Sequence, residues 1–142
     1  MNTVSSALKR KKGVPVTISP DATVVDALKV MEEKNIGSII VMQNEEYLGI
    51  MTERDYSRKV ILKSKDSAHT RVSEIMSTDL PVASPSDSIE HCMQLMSEKN
   101  IRYMPVFENN ILIGIISMSD VVKETILSQK ETIDQLQHYI NS

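Results

Sequence analysis

The stretch GIMTERD at residues 49–55 decides the fold, because it returns 65 residues later as GIISMSD at residues 114–120. Aligned at this offset without a gap, residues 16–55 and 81–120 are identical at 12 of 40 positions. A unit repeated without insertion is one supersecondary unit used twice. We therefore expect two copies that pack through their sheets about a pseudo-two-fold axis, with two related clefts between them.

Length, composition and charge restrict the class of protein. A chain of 142 residues with 41% apolar content fits one well-buried globular domain. A net charge of −3 argues against a nucleic-acid binder, and the short apolar runs argue against a membrane span. Since no apolar leader is present, we expect a cytoplasmic protein, or an organelle-matrix protein if a presequence has been removed.

Possible metal ligands and nucleophiles are few and scattered. The single cysteine, Cys92, excludes an internal disulfide, and its apolar helical surroundings predict a buried core residue. Three histidines at unrelated positions predict no metal site. The basic run at residues 9–12 is short, and we interpret it as a solvated linker.

Both repeats predict the order β-α-β-β-α, and the fold class is therefore α+β. In the first repeat, Thr23 and Asp26 form a capping-box pattern before a helix, and Asn35 is a stop signal. The predicted elements of this repeat are a strand at 14–18, a helix at 23–35, strands at 37–41 and 47–51 joined by a turn at 44–46, and a helix from 52 to about 63. The second repeat predicts strands around 82–83, at 104–107 and at 111–116, with helices around 89–96 and from 117.

Short helical segments at residues 4–10 and 72–76 precede the repeats, so the predicted domains are 1–71 and 72–142. After Asp120 a C-terminal helical extension carries an apolar stripe with helical spacing. Its members are Val122, Ile126, Ile133, Leu136 and Ile140. This stripe packs either on its own domain or on a second chain, and the sequence favours neither alternative.

Each repeat ends with a hydroxyl residue followed three positions later by an aspartate, as Thr52 with Asp55 and as Ser117 with Asp120. Such a pattern is a capping box, which stabilises a helix start by about 1 kcal/mol. The same geometry also suits a nucleotide, because a helix N-terminus attracts phosphate and a carboxylate accepts the hydroxyls of a ribose. Two copies at matched positions favour this second interpretation.

The order, spacing and duplication of these segments resemble a tandem pair of cystathionine-β-synthase (CBS) domains, the arrangement called a Bateman module. The resemblance covers nearly the whole chain. It rests on the capped turns before Val24 and Ile89, the Asn-Ile-x-x-x-x-Val strand starts at 35–41 and 100–106, and the two Gly-x-x-[Ser/Thr]-x-x-Asp endings. The string at residues 52–60 also resembles small stand-alone two-CBS proteins.

The resemblance implies that the clefts bind an adenosine-containing ligand such as AMP, ADP, ATP, NAD or S-adenosylmethionine, without a required cofactor. It places the ribose on Asp55 and Asp120, and the phosphates beside Thr52 and Ser117. The implied adenine-facing residues are Val16, Pro81, Gly37, Ser38, Ile39, Arg102, Tyr103 and Met104. Tyr103 either stacks on the adenine or is a half-buried strand residue.

The implied phosphate ligands Arg54 and Arg102 are not repeated, because Ser119 and Gly37 occupy the matching positions of the predicted ligand site. Guanidinium groups suit phosphate oxygens. We therefore expect one cleft to bind a nucleotide more firmly. We favour the cleft of Asp120, Ser117 and Arg102, with Arg54 reaching across.

Three functions follow from this pattern. The leading hypothesis is a non-catalytic sensor, a homodimer that regulates an unidentified partner protein when it binds an adenosine nucleotide. A protein-interaction scaffold with vestigial clefts is the alternative, favoured by the loss of one arginine from each repeat. A nucleotide hydrolase is the third, although the sequence shows no catalytic grouping of carboxylate and histidine. We expect no nucleic-acid or membrane partner.

Overall fold

The structure, a computed structural model, describes residues 2–11 and 13–141, without the side chain of residue 141. Its elements confirm the α+β class. The helices are α1 (Val4–Arg10), α2 (Val24–Lys34), α3 (Glu53–Tyr56), α4 (Val72–Ile75), α5 (Ile89–Lys99) and α6 (Met118–Asn141). The strands are β1 (Thr17–Ile18), β2 (Ser38–Gln43), β3 (Glu46–Thr52), β4 (Tyr103–Glu108) and β5 (Ile111–Ser117).

The chain forms two compact units that differ from the predicted domains 1–71 and 72–142. The first-repeat unit is Val14–Leu80, and the second-repeat unit combines Met1–Gly13 with Pro81–Ser142. The helical segments that precede the repeats cause the difference, because α1 belongs to the second repeat and α4 to the first.

Backbone hydrogen bonds fix this assignment of α1 and α4. At the start of α1, Val4 N donates to Asp87 O at 2.9 Å. At the start of α4, Val72 N donates to Ala22 O, also at 2.9 Å. Each bond satisfies one of the backbone N–H groups that a helix N-terminus leaves without an intrahelical acceptor.

The sheet of the first-repeat unit has the order β1-β2-β3, with β1 parallel to β2 and β2 antiparallel to β3. The predicted polar turn between β2 and β3 is confirmed. Its central residues Asn44 and Glu45 have φ values of 52° and 67°, which suit the tight hairpin turn. Helix α2 begins after Thr23, whose Oγ1 accepts a bond from Asp26 N, and ends at Asn35, which adopts the left-handed conformation with φ 55°.

The core of the first-repeat unit lies between this sheet and its helices. It consists of Val24, Ala27, Met31, Ile39, Val41, Met51, Val60, Val72 and Ile75, all nearly inaccessible to solvent. Burial of each larger side chain contributes roughly 1.5–3 kcal/mol. Helix α3 continues into a π-helical segment, Ser57–Ile61, so the predicted second helix ends slightly before residue 63. The π-type bond runs from Leu62 N to Ser57 O at 3.0 Å.

The second-repeat unit contains only the two-stranded sheet β4-β5 among the residues that are described. The strand predicted around 82–83 is reduced to one bridge between Ala83 and Val106. Pro81 and Pro85 flank this bridge and carry no backbone N–H, so they cannot extend the ladder.

The core of the second-repeat unit includes α1. Its residues are Val4, Ala7, Ala83, Ile89, Cys92, Met96, Met104, Val106, Ile116 and Val121. The prediction that Cys92 is a core residue is confirmed. Burial, with a smaller contribution from the negative charge of Asp87, raises the pKa of the Cys92 thiol to about 11.

The C-terminal extension predicted after Asp120 is confirmed as the 24-residue helix α6. Its predicted apolar stripe does not pack on the unit that carries it. The five stripe residues are between 45% and 78% exposed: Val122, Ile126, Ile133, Leu136 and Ile140. The first of the two alternatives for this stripe is therefore wrong.

Candidate functional site

The hydroxyl–aspartate turn of the first-repeat unit joins β3 to α3. Thr52 Oγ1 accepts a bond from Asp55 N at 3.0 Å, and Asp55 Oδ2 accepts bonds from Thr52 N and Thr52 Oγ1, each at 3.0 Å. These reciprocal bonds are a complete capping box. One carboxylate oxygen of Asp55 is therefore used by the helix cap.

The other oxygen of Asp55 is used as well. Ser77 Oγ donates to Asp55 Oδ1 at 2.9 Å, and Lys59 Nζ lies 2.9 Å from the same atom. Lys59 also donates to Ile75 O at 2.9 Å. With four donors on its carboxylate and 7% side-chain exposure, Asp55 is a structural residue in this arrangement. It links α3 to the segment that follows α4.

The matching turn of the second-repeat unit joins β5 to α6. Asp120 Oδ2 accepts a bond from Ser117 N at 2.8 Å, and Ser117 Oγ accepts one from Asp120 N at 3.0 Å. The side chain of Asp120 is 17% exposed. Among the residues that the structure describes, no hydrogen bond reaches Asp120 Oδ1, so this oxygen can accept a bond from a ligand.

The cation beside Asp120 comes from the end of α1. Lys11 Nζ lies 3.0 Å from Asp120 Oδ2 and donates to Ile115 O at 2.9 Å. One residue earlier, Arg10 Nε donates to Glu124 Oε2 at 2.7 Å, and Glu124 is almost fully buried. The basic run at 9–12 is thus not simply a solvated linker. Two of its members hold this segment against α6, while residue 12 lies outside the described residues.

Arg102 and Tyr103 lie beside the Asp120 turn. Tyr103 opposes Ser117 in the β4-β5 register, and Met118 N donates to Arg102 O at 2.8 Å. Arg102 is exposed and Tyr103 is half-buried. The second-repeat unit therefore brings a guanidinium, an aromatic ring and the Ser117–Asp120 turn to one end of its hairpin.

Three other predicted residues of the second-repeat unit are spread around this end. Met104 is a core residue, so its backbone alone remains for a ligand. Pro81 is half-buried, and Ser119 is exposed in the first turn of α6.

The first-repeat unit repeats this geometry without a counterpart of Arg102, because Gly37 occupies that position. Ser38 opposes Thr52, and Glu53 N donates to Gly37 O at 3.2 Å. Ser38 and Ile39 are buried. Val16 O accepts a bond from Ile40 N at 3.2 Å, and Arg54, at the start of α3, is half-buried.

A cavity of about 490 Å³ lies in the first-repeat unit, on the side of α2 and α3. Its lining includes two carboxylates, Glu32 and Glu53, and no Lys or Arg. Of the predicted site residues only Gly37 contributes to it. A cavity with acidic side chains and no cation does not suit a phosphate.

Sequence reasoning missed the contacts by which four residues bind the two aspartates or support them: Lys11, Glu124, Lys59 and Ser77. The repeat offset of 65 offered a signal, because it aligns Lys59 with Glu124, an acid in the place of a base. That reversal implies that the cation beside Asp120 must come from elsewhere in the chain. This pair lies beyond the aligned repeats, residues 16–55 and 81–120.

The described residues contain neither a metal-ligand cluster nor a membrane-spanning helix. Within residues 2–11 and 13–141, no group of three or more His, Cys, Asp or Glu residues is arranged to hold a metal ion. None of the helices found there combines the length and the apolar character that are needed to cross a membrane.

The sequence matches the CBS domain family model twice, over residues 11–61 and 72–126. It is 34% identical over 97% of its length to the mitochondrial CBS domain-containing protein CBSX3 of Arabidopsis thaliana, of which 71% is covered.

Solved structures give the same result. A CBS-domain protein from Burkholderia ambifaria MC40-6, provisionally named for signal transduction, superposes with a TM-score of 0.84 at 41% identity. That comparison covers 90% of this chain and 96% of the other. The hexameric CBS-CP12 protein from bloom-forming cyanobacteria gives a TM-score of 0.74 at 35% identity over 86% of this chain and 70% of that one.

Proposed function

The chain belongs to the CBS domain family, and we propose that it is a non-catalytic sensor that binds an adenosine nucleotide such as AMP, ADP, ATP or NAD and regulates a partner protein. The family match and the signal-transduction name of the Burkholderia relative support a regulatory role. The ligand acts as a signal and not as a required cofactor. Binding shifts the population of conformations, and the partner responds to that shift.

The observation that carries this proposal is Asp120 Oδ1, which accepts no hydrogen bond from residues 2–11 and 13–141. A ribose presents two neighbouring hydroxyls, and Asp120 Oδ1, within a 17% exposed side chain, is placed to accept from them. The adjacent N-terminus of the long helix α6 adds a partial positive charge for a phosphate. The Ser117 hydroxyl can donate its own proton to a phosphate oxygen.

Asp55 supports the same assignment by contrast. Its two oxygens already accept from Thr52, Ser77 and Lys59. A ribose would have to displace at least one of these donors in a nearly buried environment, which costs about 1–3 kcal/mol. We therefore assign ligand binding to the second-repeat unit, in agreement with the preference derived from Arg102.

Arg102 supplies the phosphate contact in this proposal. It is exposed at the end of the hairpin that carries Ser117. Arg102→Ala should weaken AMP binding by about tenfold and adenosine binding much less. Lys123→Ala, which removes an exposed cation from α6, is the matched control. The contribution of Arg54 from the first-repeat unit stays a prediction, and Arg54→Ala measured with the same two ligands tests it.

The module is proposed to lack catalytic activity. Hydrolysis of a nucleotide requires a general base or a metal beside the scissile bond. Here Asp55 is occupied by its own donors, and Asp120 is assigned to the sugar. Turnover of ATP or NAD that persists through purification and disappears in Asp120→Asn would revive the hydrolase hypothesis.

We further propose a homodimer in the cytoplasm or in an organelle matrix. The hexameric CBS-CP12 protein supports self-association, and the mitochondrial name of CBSX3 supports the second location. Neither relative identifies the regulated partner.

An interaction scaffold with vestigial clefts is the second candidate, and the occupied carboxylate of Asp55 favours it for the first-repeat unit. Calorimetry with AMP, ATP and NAD separates the two functions. A sensor gives saturable heat, and its free energy of unfolding rises by about 2.7 kcal/mol at a ligand concentration of 100 times Kd. No heat and no change in Tm with millimolar ligand would leave the scaffold as the function.

A further inference from the structure

Helix α6 consists of two parts with different surroundings. In its first two turns, Val121 and Glu124 are buried, and Thr125 Oγ1 donates to Val121 O at 2.9 Å. From residue 129 to residue 140 every side chain is exposed. Isolated helices of this length are marginal in water, so tertiary or quaternary contacts are needed to stabilise the second part.

The exposed apolar residues of α6 follow a seven-residue repeat. Ile126, Ile133 and Ile140 are seven apart, and Val122, Gln129 and Leu136 form a second series with the same spacing. The two series alternate in steps of four and three, which are the a and d positions of a coiled coil. We call these six residues the α6 stripe.

We infer that the α6 stripe pairs with the α6 stripe of a second copy of this chain as a parallel two-stranded coiled coil. Isoleucine at every a position and Leu136 at d match the pattern that favours two parallel strands, whereas the remaining d positions hold Val122 and Gln129. The 3.5-residue spacing keeps these residues on the seam between two helices. This pairing is independent of nucleotide binding.

The polar member of the stripe favours an identical partner. In a parallel, in-register pair each stripe residue meets its own copy, so Gln129 faces Gln129 and their amides can donate to and accept from each other. Against an apolar partner the Gln129 amide would lose its bonds to water without replacement, at a cost of about 1–3 kcal/mol. A polar residue in the seam also fixes the register.

The residues beside the stripe do not oppose self-pairing. In a parallel pair Thr125 faces Lys130 of the other copy and Thr132 faces Gln137, so no like charges meet. A membrane surface is a poor alternative, because interfacial helices are rich in Lys and Arg. The second part of α6 instead balances Lys130 with Glu131 and Asp134.

Sedimentation of the full chain, with and without a charge in the stripe, tests the pairing. Ile133→Glu places a carboxylate in the seam of the pair. Because Ile133 is 53% exposed in the single chain, each chain of this variant should still fold. Gln135→Glu adds the same charge to the same turn outside the stripe. We expect an oligomer for the wild type and Gln135→Glu, and a twofold lower mass for Ile133→Glu, which should still unfold in a cooperative thermal transition. A monomeric wild type, or a mass that Ile133→Glu does not change, would overturn the pairing.

Disulfide trapping tests the parallel direction. Ile140→Cys should cross-link two chains in an oxidising glutathione buffer, because a parallel pair brings the two C-terminal ends together. An antiparallel pair would separate them by roughly the length of the stripe, about 27 Å. The wild type is the control, since its buried Cys92 should not cross-link. Failure of Ile140→Cys to cross-link beyond the wild-type level would overturn the parallel arrangement.

Discussion

Lys11 Nζ lies 3.0 Å from Asp120 Oδ2, so the end of the first helix supplies the cation for an aspartate 109 residues later in the chain. In the first-repeat unit, the cation beside Asp55 is Lys59, four residues along the same helical segment. The two units therefore neutralise equivalent carboxylates from different directions. Only the Lys11–Asp120 pair leaves one carboxylate oxygen of its aspartate without a donor among the described residues.

The Lys11–Asp120 pair predicts a charge-dependent loss of ligand affinity. Lys11→Met leaves the Asp120 carboxylate uncompensated beside the phosphate of a nucleotide. We expect AMP to bind about three- to tenfold more weakly, which corresponds to roughly 1 kcal/mol for a partly exposed pair. Adenosine, which carries no phosphate, should bind nearly as before. Calorimetry with both ligands at low salt measures the difference.

Lys9→Met is the control for this experiment, because it removes the same charge from α1 at an exposed position. If Lys11→Met weakened AMP and adenosine binding equally, that result would contradict an electrostatic role for Lys11. Raised salt should also reduce the difference in AMP affinity between the wild type and Lys11→Met.

The glycine that both repeats share should tolerate replacement by alanine unequally in the two units, as measured by the free energy of unfolding. A Cβ at Gly49 would lie 2.6 Å from Ser77 O, which accepts a bond from Ile50 N at 3.0 Å. At Gly114 the nearest atom is the flexible end of Leu8, at 3.3 Å. Gly49→Ala should lower the free energy of unfolding by about 2–3 kcal/mol, and Gly114→Ala by less than about 1.5 kcal/mol. Urea denaturation measures the stability loss of both variants. A larger loss in Gly114→Ala than in Gly49→Ala would show that the Ile50–Ser77 bridge is not rigid.

The two aspartates should also differ in their effect on stability. Asp55→Asn turns an amide N–H₂ toward donors from Thr52, Ser77 and Lys59, and we expect a loss of about 2–3 kcal/mol. Asp120→Asn keeps most of its cap and should cost about 1 kcal/mol. Guanidinium denaturation of both variants measures this difference, and equal losses would mean that the extra donors on Asp55 contribute nothing.

Cys92 should be unreactive while the protein is folded. Its thiol is buried, and burial raises its pKa to about 11, so the reactive thiolate is scarce at pH 8. We expect a thiol-specific disulfide reagent to label native protein at least about a hundredfold more slowly than protein in guanidinium, because the pKa shift alone lowers the thiolate fraction by that order. Equal rates would place Cys92 at the surface.

Much of the fold was predictable because it depends on local signals. The left-handed helix ends at Asn35 and Asn100 and the turn at Asn44 have short-range chemical causes, and the structure confirms the predicted stop at Asn35 and the turn at 44–46. The β3–α3 junction at Thr52 likewise agrees with its capping-box pattern.

The membership of the compact units was not predictable in this way. Whether α1 belongs to the first or the second repeat depends on long-range bonds such as Val4 N to Asp87 O, and no periodicity encodes these. The same reason explains why the Lys11–Asp120 pair was missed. A search that pairs residues by the repeat offset alone cannot find a contact that only one unit makes.

The central claim is that Asp120 and not Asp55 holds the sugar of an adenosine ligand. Calorimetric titration of AMP into wild type, Asp120→Asn and Asp55→Asn tests it most directly, at a temperature where all three are folded. We predict at least tenfold weaker binding for Asp120→Asn, and binding within about twofold of wild type for Asp55→Asn. Unchanged affinity in Asp120→Asn, or a loss confined to Asp55→Asn, would contradict the claim.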